Sequence, residues 1–275
     1  MARESSGRPA SSFREAIEAM RIRAPTRGNR RLEALLEAAN ADSQLKAWWH
    51  SAQVNANRLG MSDHSWIHIQ IVVNIALRLF RLLNRGGVEP AMVTEHGMST
   101  RDAEVVIAAA CLFHDTGMSI HRTDHEQYSL FLGADRLPLL LDGIYEDPEL
   151  TVVISEALHA VIGHRRAGDP VTREAGIVRV ADALDMASGR SRIPFETRRP
   201  NIHSVSAAAI DAVTIEPGAE KPVEVRIAMN NSSGLFQIDE LLATKLRGSG
   251  IEEYVEVVAE IEAEHEKRLV PVFRI

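Results

Sequence analysis

Residues 105–113 form an almost wholly apolar run that ends in the dipeptide His114-Asp115. A run of this length without a polar face predicts a helix that is buried on all sides, at the centre of a helical domain. His114 falls at helical spacing on the same face as Ile107. A carboxylate at the end of a buried helix is costly to desolvate unless a positive group meets it, and a divalent cation would meet both side chains.

Three other predicted helices repeat this arrangement, because each places one metal-competent side chain on its apolar face. His68 shares a face with Val72 and Leu79, His164 continues the apolar face of its helix, and Asp182 follows a further apolar run. A lone core histidine is more often hydrogen-bonded than ligating. Four such placements directed at one core nevertheless predict a shared metal site.

The order His68, then His114-Asp115, then Asp182 resembles the H…HD…D signature of the HD superfamily of metal-dependent phosphohydrolases. The strings HDTGMSIHR and RVADALDMASGR make the resemblance specific, and it covers about residues 60–195. More narrowly, the chain is similar to a prokaryotic branch of HD phosphatases or phosphodiesterases with a small module after the HD domain. The resemblance implies a mainly α fold, in which an HD-type helical bundle domain precedes a small α+β domain.

Helical periodicity continues to about residue 189, and the pattern changes after residue 194. Thr100 is the predicted N-cap of the central helix. The predicted helices span residues 15–21, 30–45, 63–84, 125–141, 149–164 and 172–189. Alternating apolar residues then predict a strand hairpin over residues 213–229. A short helix is predicted over residues 236–246, the segment 254–261 suits helix or strand, and a last strand is predicted over residues 269–275. The predicted domains are a disordered tail, the helical HD domain and the α+β module, over residues 1–12, 13–199 and 200–275.

Composition bounds the class of protein. The chain has 275 residues and one cysteine, which excludes a disulfide framework and a Cys-rich zinc site. The net charge of −7 gives no overall attraction to nucleic acid or to an anionic membrane. No apolar run approaches the length needed to cross a bilayer. We therefore expect a cytoplasmic protein without membrane or nucleic-acid partners, and the sequence leaves a homodimer open.

The number of metal ions is left open by the residues alone. In the superfamily the four-residue set binds one ion, whereas members with additional histidines bind two, bridged by the aspartate of the HD pair. The resemblance implies His125 and His164 as these additional ligands. His159 and His164 lie about 140° apart around a helix, so both cannot face one ion. The predicted cofactor is one or two divalent ions per chain, of Mn, Fe, Zn, Ni or Mg.

Phosphate binding requires cations, and arginines follow several of the predicted ligands. Arg122, Arg165 and Arg190 are the predicted substrate-binding residues, because guanidinium groups bind phosphate bidentately. The predicted catalytic residues are Asp115, His121 and Arg122. Met118 replaces the lysine of the HD-x-G-K pattern found in many HD phosphodiesterases, and Arg122 is expected to compensate.

The sequence therefore predicts hydrolysis of a phosphomonoester or phosphodiester, on a nucleotide or cyclic nucleotide or another phosphorylated small molecule. Two alternatives stay open. HD-domain di-iron oxygenases share the fold and a similar ligand set, and a nucleotide sensor would bind metal and ligand without turnover.

Overall fold

The structure is a computed structural model that describes residues 13–186 and 206–261. Helices fill the first of these ranges. They are α1 Phe13–Glu18, α2 Arg30–Ala41, α3 Ser43–Leu59, α4 Trp66–Arg85, α5 Ala91–Thr94, α6 Thr100–Phe113, α7 His125–Leu140, α8 Glu149–Gly163 and α9 Arg173–Leu184. A 3₁₀ turn, Thr116–Ser119, follows α6. The second range contains strands β1 Ile210–Pro217, β2 Val223–Met229 and β3 Val255–Ile261, with a chain of helical turns between β2 and β3.

Helix α6 is the centre of the helical bundle, as its apolar sequence predicts. Every residue from Asp102 to Phe113 is buried, and the helix packs against α2, α4, α8 and α9. The prediction that Thr100 caps this helix was wrong. Ser99 is the N-cap, because the side chain of Asp102 accepts hydrogen bonds from the Ser99 backbone N–H at 2.9 Å and hydroxyl at 2.7 Å.

Asp42 divides the helix predicted over residues 30–45 into two. Its backbone is extended, with φ −79° and ψ 104°, and it ends α2 and caps α3. Its side chain accepts a hydrogen bond from the Leu45 N–H at 2.8 Å, which offers the backbone an alternative to a continuous helix. The sequence reasoning therefore missed α3, which covers the turn that follows α6.

Helix α4 matches the helix predicted over residues 63–84, but it departs from the expectation that no apolar run approaches the length needed to cross a bilayer. Its most apolar window has a mean hydropathy of 1.4, and within the described ranges it is the helix long and apolar enough to cross a membrane. Most of that window, 61%, is buried inside the protein. Burial against α6, α9 and the sheet accounts for its apolar composition.

The C-terminal segment forms a three-stranded sheet in the order β1-β2-β3. Strands β1 and β2 form the predicted antiparallel hairpin, with Ile215 opposite Val225, and β3 runs parallel to β2. The segment 254–261, whose pattern suits helix or strand, forms strand β3. The apolar side chains of β2 alternate toward α4, so the sheet packs on the helical bundle. This agrees with the predicted fold class, a mainly α bundle with a small α+β part.

The C-terminal segment also packs closely on α9. A Cβ added at Gly176 would lie 1.8 Å from the carbonyl oxygen of Ser249, so only glycine permits this backbone approach. Arg179, one turn further along α9, donates to the carbonyl oxygens of Gly168, Arg166 and Thr244. The predicted tail at residues 1–12, the domain boundary at 199–200 and the last strand at 269–275 lie outside the described residues.

Candidate metal centre

The turn after α6 is held by close packing that fixes the HD dipeptide. Ser129 on α7 donates its hydroxyl to the carbonyl of His114 at 2.9 Å and accepts the N–H of Gly117 at 2.8 Å. A Cβ on Gly117 would lie 1.9 Å from the carbonyl oxygen of His125. The glycine therefore lets α7 begin directly beside the turn. From α3, Asn55 donates to the Met118 carbonyl at 2.9 Å and secures the other side.

Two groups of metal-competent side chains meet at this point. The first contains His68, His114 and Asp182, and the second contains Asp115, His125 and His164. In the first group, the His68 Nε2 lies 3.2 Å from the His114 Nε2 and 3.4 Å from the Asp182 Oδ1. Within each group the donor atoms lie within 4.8 Å of one another. The structure thus brings together all six predicted metal ligands.

Asp115 lies between the two groups and turns one oxygen toward each. Its Oδ2 is 3.4 Å from the His68 Nε2 and 3.5 Å from the His114 Nε2. Its Oδ1 is 3.1 Å from the His125 Nε2 and 3.7 Å from the His164 Nε2. A carboxylate in this position has the geometry of a bridge between two cation sites.

Hydrogen bonds at Nδ1 orient the histidines toward this carboxylate. His68 donates its Nδ1–H to the Asp185 Oδ2 at 2.6 Å, and His114 and His164 donate theirs to backbone carbonyls at 2.8 and 2.5 Å. In each case the Nε2 lone pair then faces the centre, as in metal sites whose ligands are held by a second partner. The Nδ1 of His125 lies 3.1 Å from the carbonyl oxygen and 2.9 Å from the guanidinium of Arg122.

These spacings fit a small divalent ion. Two donors at ~2.1 Å from one ion, at tetrahedral or octahedral angles, are roughly 3.0–3.4 Å apart. Separations between donor atoms within the two groups, from 3.1 to 3.8 Å, fall at or slightly above that range. Imidazole and carboxylate donors without a thiolate are the set that Mn, Fe, Zn and Ni ions accept, and the carboxylates also suit Mg.

The charge states also suit cation binding. Burial raises the pKa of the Asp115 carboxyl, but the neighbouring His114, His125 and His68 outweigh it and hold that pKa well below its usual range. Burial lowers the pKa of His164 to about 3, and it lowers the pKa of His114 as well. The pKa of His125 is raised, because its hydrogen bond to Asp115 outweighs burial. The centre therefore contains an ionised carboxylate at Asp115 and neutral imidazoles at His114 and His164.

Four of the six donors, Asp115, His125, His164 and Asp182, line a cavity of about 480 Å³. Its cationic lining residues come from three parts of the chain. They are Arg122, Arg165, Arg166 and Lys245. The Lys245 ammonium contacts the Asp182 Oδ2, while the other oxygen of Asp182 faces His68 and His114. Positive side chains thus lie beside the metal donors, as an anionic substrate requires.

Several predicted residues stand elsewhere or outside the described chain. The structure does not bring His121 to the cavity, since its ring is exposed and accepts the backbone N–H of Thr123 at 3.0 Å. His159 also faces away and accepts the N–H of Val171 at 3.1 Å. Met118 is fully buried, so its position offers no surface for a phosphate contact. Arg190 lies outside the described residues.

Two cavity residues were missed by the sequence reasoning. His64 is buried, donates its Nδ1–H to the Ser62 carbonyl at 2.8 Å, and places its Nε2 4.0 Å from the Asp115 Oδ2. It precedes α4, so no helical periodicity marks it, although its spacing of four from His68 was a usable signal. Lys245 lies in the C-terminal segment, where no local pattern points to a metal centre.

Comparison with known proteins identifies the class. The HD domain family model matches residues 62–187, the stretch that contains the six donors. The chain is also 39% identical, over 207 residues, to the uncharacterized protein MJ1020 of Methanocaldococcus jannaschii, an alignment that covers 75% of this chain and 80% of that protein. No solved structure matches.

The chain therefore belongs to the HD domain family, whose members are generally metal-dependent hydrolases that bind divalent ions. Its histidine and aspartate clusters are able to hold such ions.

Proposed function

We propose that the chain hydrolyses a phosphomonoester or phosphodiester of a nucleotide or cyclic nucleotide, with two divalent ions held by the six donors. One observation carries the proposal. A single cavity contains the shared carboxylate Asp115 and, beside it, four cationic side chains. Cations next to a metal centre favour a substrate that is itself anionic, and guanidinium groups match phosphate oxygens.

When bound, divalent ions lower the pKa of water to about 7 and neutralise charge on a phosphoryl oxygen. The side chains of the protein supply the remaining functions. Arg122 and Arg165 line the cavity and would bind phosphate oxygens in a bidentate manner, and Lys245 would add a point charge from the C-terminal segment. His64 lines the cavity, with its Nε2 4.0 Å from the Asp115 Oδ2, and would give a proton to the leaving oxygen.

The cavity also suits a substrate larger than phosphate. Its volume of about 480 Å³ lies within the range of small-molecule sites, roughly 300–1,000 Å³. Met61, Met186 and Leu241 provide an apolar part of the lining. A base or sugar would contact these side chains while the phosphate contacts the arginines.

A single buried cysteine, Cys111, is consistent with the cytoplasm as the site of action.

The test is hydrolysis by chelator-treated protein under exclusion of oxygen. Bis-p-nitrophenyl phosphate and p-nitrophenyl phosphate serve first, with each candidate metal added back, and a panel of nucleoside monophosphates and cyclic nucleotides follows. Two histidine variants, one on α8 and one at the C-cap of that helix, form a matched pair. His164→Ala removes a donor, whereas His159→Ala removes a histidine whose ring faces away from the cavity.

We expect metal-dependent release of p-nitrophenol, a loss of at least about 100-fold in His164→Ala, and near-normal activity in His159→Ala. Turnover that appears only when oxygen is admitted to the same assay would instead indicate an oxygenase. Tight binding of one nucleotide without turnover would indicate a sensor. Either result would contradict the proposed hydrolase.

A further inference from the structure

A second cavity, of about 210 Å³, lies at the far end of the helices that carry the metal donors. The turn before α2, the last turns of α4 and the first turn of α6 form its walls. Arg101 precedes His114 by thirteen residues of the same helical segment, which corresponds to ~20 Å at 1.5 Å per residue. The cavity is therefore separate from the metal centre.

The lining of this second cavity is strongly basic. Its walls contain one carboxylate, Glu104, and four arginines, Arg27, Arg81, Arg85 and Arg101. Three of the four positive charges are therefore not balanced by a negative charge in the walls. This local excess of positive charge contrasts with the net charge of −7 for the whole chain. A concentration of like charge around a small concave space raises the local positive potential.

The one carboxylate is already fully engaged. Glu104 accepts the Nε–H of Arg81 at 2.6 Å through one oxygen and the side-chain amide of Asn29 at 2.9 Å through the other. Within the described parts of the chain, Arg27, Arg85 and Arg101 form no ion pair. Arg85 donates its Nε–H to the Arg81 carbonyl at 3.2 Å, and the walls offer no further carboxylate to Arg27, Arg85 or Arg101.

Arg81, which also lines the cavity, has a hydrogen-bond donor without a partner in the described structure. Its side chain is only 9% exposed, and its Nη2 is buried without a hydrogen-bond partner in the described structure. A buried guanidinium nitrogen without an acceptor is unfavourable, and such groups in folded proteins usually have a partner. Asn29 caps α2 and Arg101 stands in the first turn of α6, so two helix N-termini add positive potential at this cavity.

We propose that this cavity binds a compact polyvalent anion of the phosphate class. Guanidinium groups form parallel hydrogen bonds with phosphate oxygens, and the volume accommodates a phosphate or pyrophosphate group. The anion is either a free inorganic phosphate or the exposed phosphate chain of a nucleotide. This site is independent of the hydrolase proposal, because it shares no residue with the metal centre.

The experiment is calorimetric titration of the full-length protein with inorganic phosphate, pyrophosphate and ATP, at ionic strength held constant with sodium chloride. The pocket variant is Arg85→Gln with Arg101→Gln, two exposed residues whose replacement leaves the Arg81–Glu104 pair intact. The matched control is Arg14→Gln with Arg21→Gln, which removes the same charge from exposed positions outside the cavity. Binding at the metal centre is common to both variants.

We expect at least one of the three anions to bind at least about tenfold more weakly to the pocket variant than to the control, as loss of charged hydrogen bonds implies. The anion that shows this difference identifies the source, free phosphate or nucleotide. If circular dichroism shows that the double variant is unfolded, Arg27→Gln in the exposed turn gives the same comparison. Equal binding of all three anions by the wild type and the folded variants would overturn the proposal.

Discussion

Replacing Lys245 by methionine tests how the C-terminal segment supports the metal centre. The Lys245 ammonium contacts a carboxylate oxygen of Asp182, and each side chain is 13% exposed. Breaking a fully buried ion pair by removing one partner costs about 3–5 kcal/mol, whereas an exposed pair contributes about 0.2–1 kcal/mol. For a pair that is mostly but not fully buried, we expect a loss of about 2 kcal/mol in the metal-free protein.

The assay is thermal unfolding of wild type, Lys245→Met and a matched control, Arg247→Met, whose side chain is exposed in the same segment. A loss of that size corresponds to a melting temperature lower by roughly 4–8 °C. With saturating metal the difference should narrow, because a cation at Asp182 then supplies the missing positive charge. The control should stay close to wild type in both conditions.

Two results would refute this reasoning. One is an unchanged melting temperature for Lys245→Met in the presence of chelator. The other is a difference from wild type that is just as large with saturating metal, since the lysine would then stabilise the fold without compensating Asp182.

Two further predictions concern the close packing on α9 and the N-terminus of α6. Gly176→Ala should destabilise the protein by about 1–3 kcal/mol or more, because the added Cβ would lie 1.8 Å from the Ser249 carbonyl oxygen. Gly163→Ala, whose added Cβ has its nearest neighbours at 3.5 Å, should be tolerated. Equal melting temperatures for the two variants would contradict this prediction. Burial raises the pKa of Asp102, but hydrogen bonds led by those from Ser99 outweigh it and lower the pKa below 3.8. The stability that this lowered pKa contributes is present above pH 3.8 and is lost as the pH falls through the pKa of the folded state. Asp102→Asn should therefore flatten the acid side of a plot of unfolding free energy against pH. An unchanged slope would refute this prediction.

The ligands that could be predicted from the sequence are those on helices with an apolar stripe. His68, His114 and Asp182 lie at positions where helical spacing alone places a polar group on a buried face. Their orientation could not be predicted in the same way. It depends on partners such as Asp185, which lies 117 residues from the His68 that it holds.

The features that the sequence did not reveal depend on local competition or on long-range packing. The helix break at Asp42 arises because a side-chain cap replaces continuous helix hydrogen bonds, and this outweighs an amphipathic pattern that runs through it. Lys245 reaches Asp182 across 63 residues only because the C-terminal segment packs on α9. The absence of His121 from the cavity follows from the turn before α7, where helical phase is lost.

The metal content of purified protein, measured by mass spectrometry, tests the central claim most directly. If Asp115 bridges two sites, wild type should contain about two ions per chain, and His125→Ala combined with His164→Ala should retain about one. His68→Ala should lose the other ion, and Asp115→Ala should lose most of both. One ion per chain in the wild type and in the His125/His164 double variant alike would contradict the account, because the second group of donors would then bind no metal.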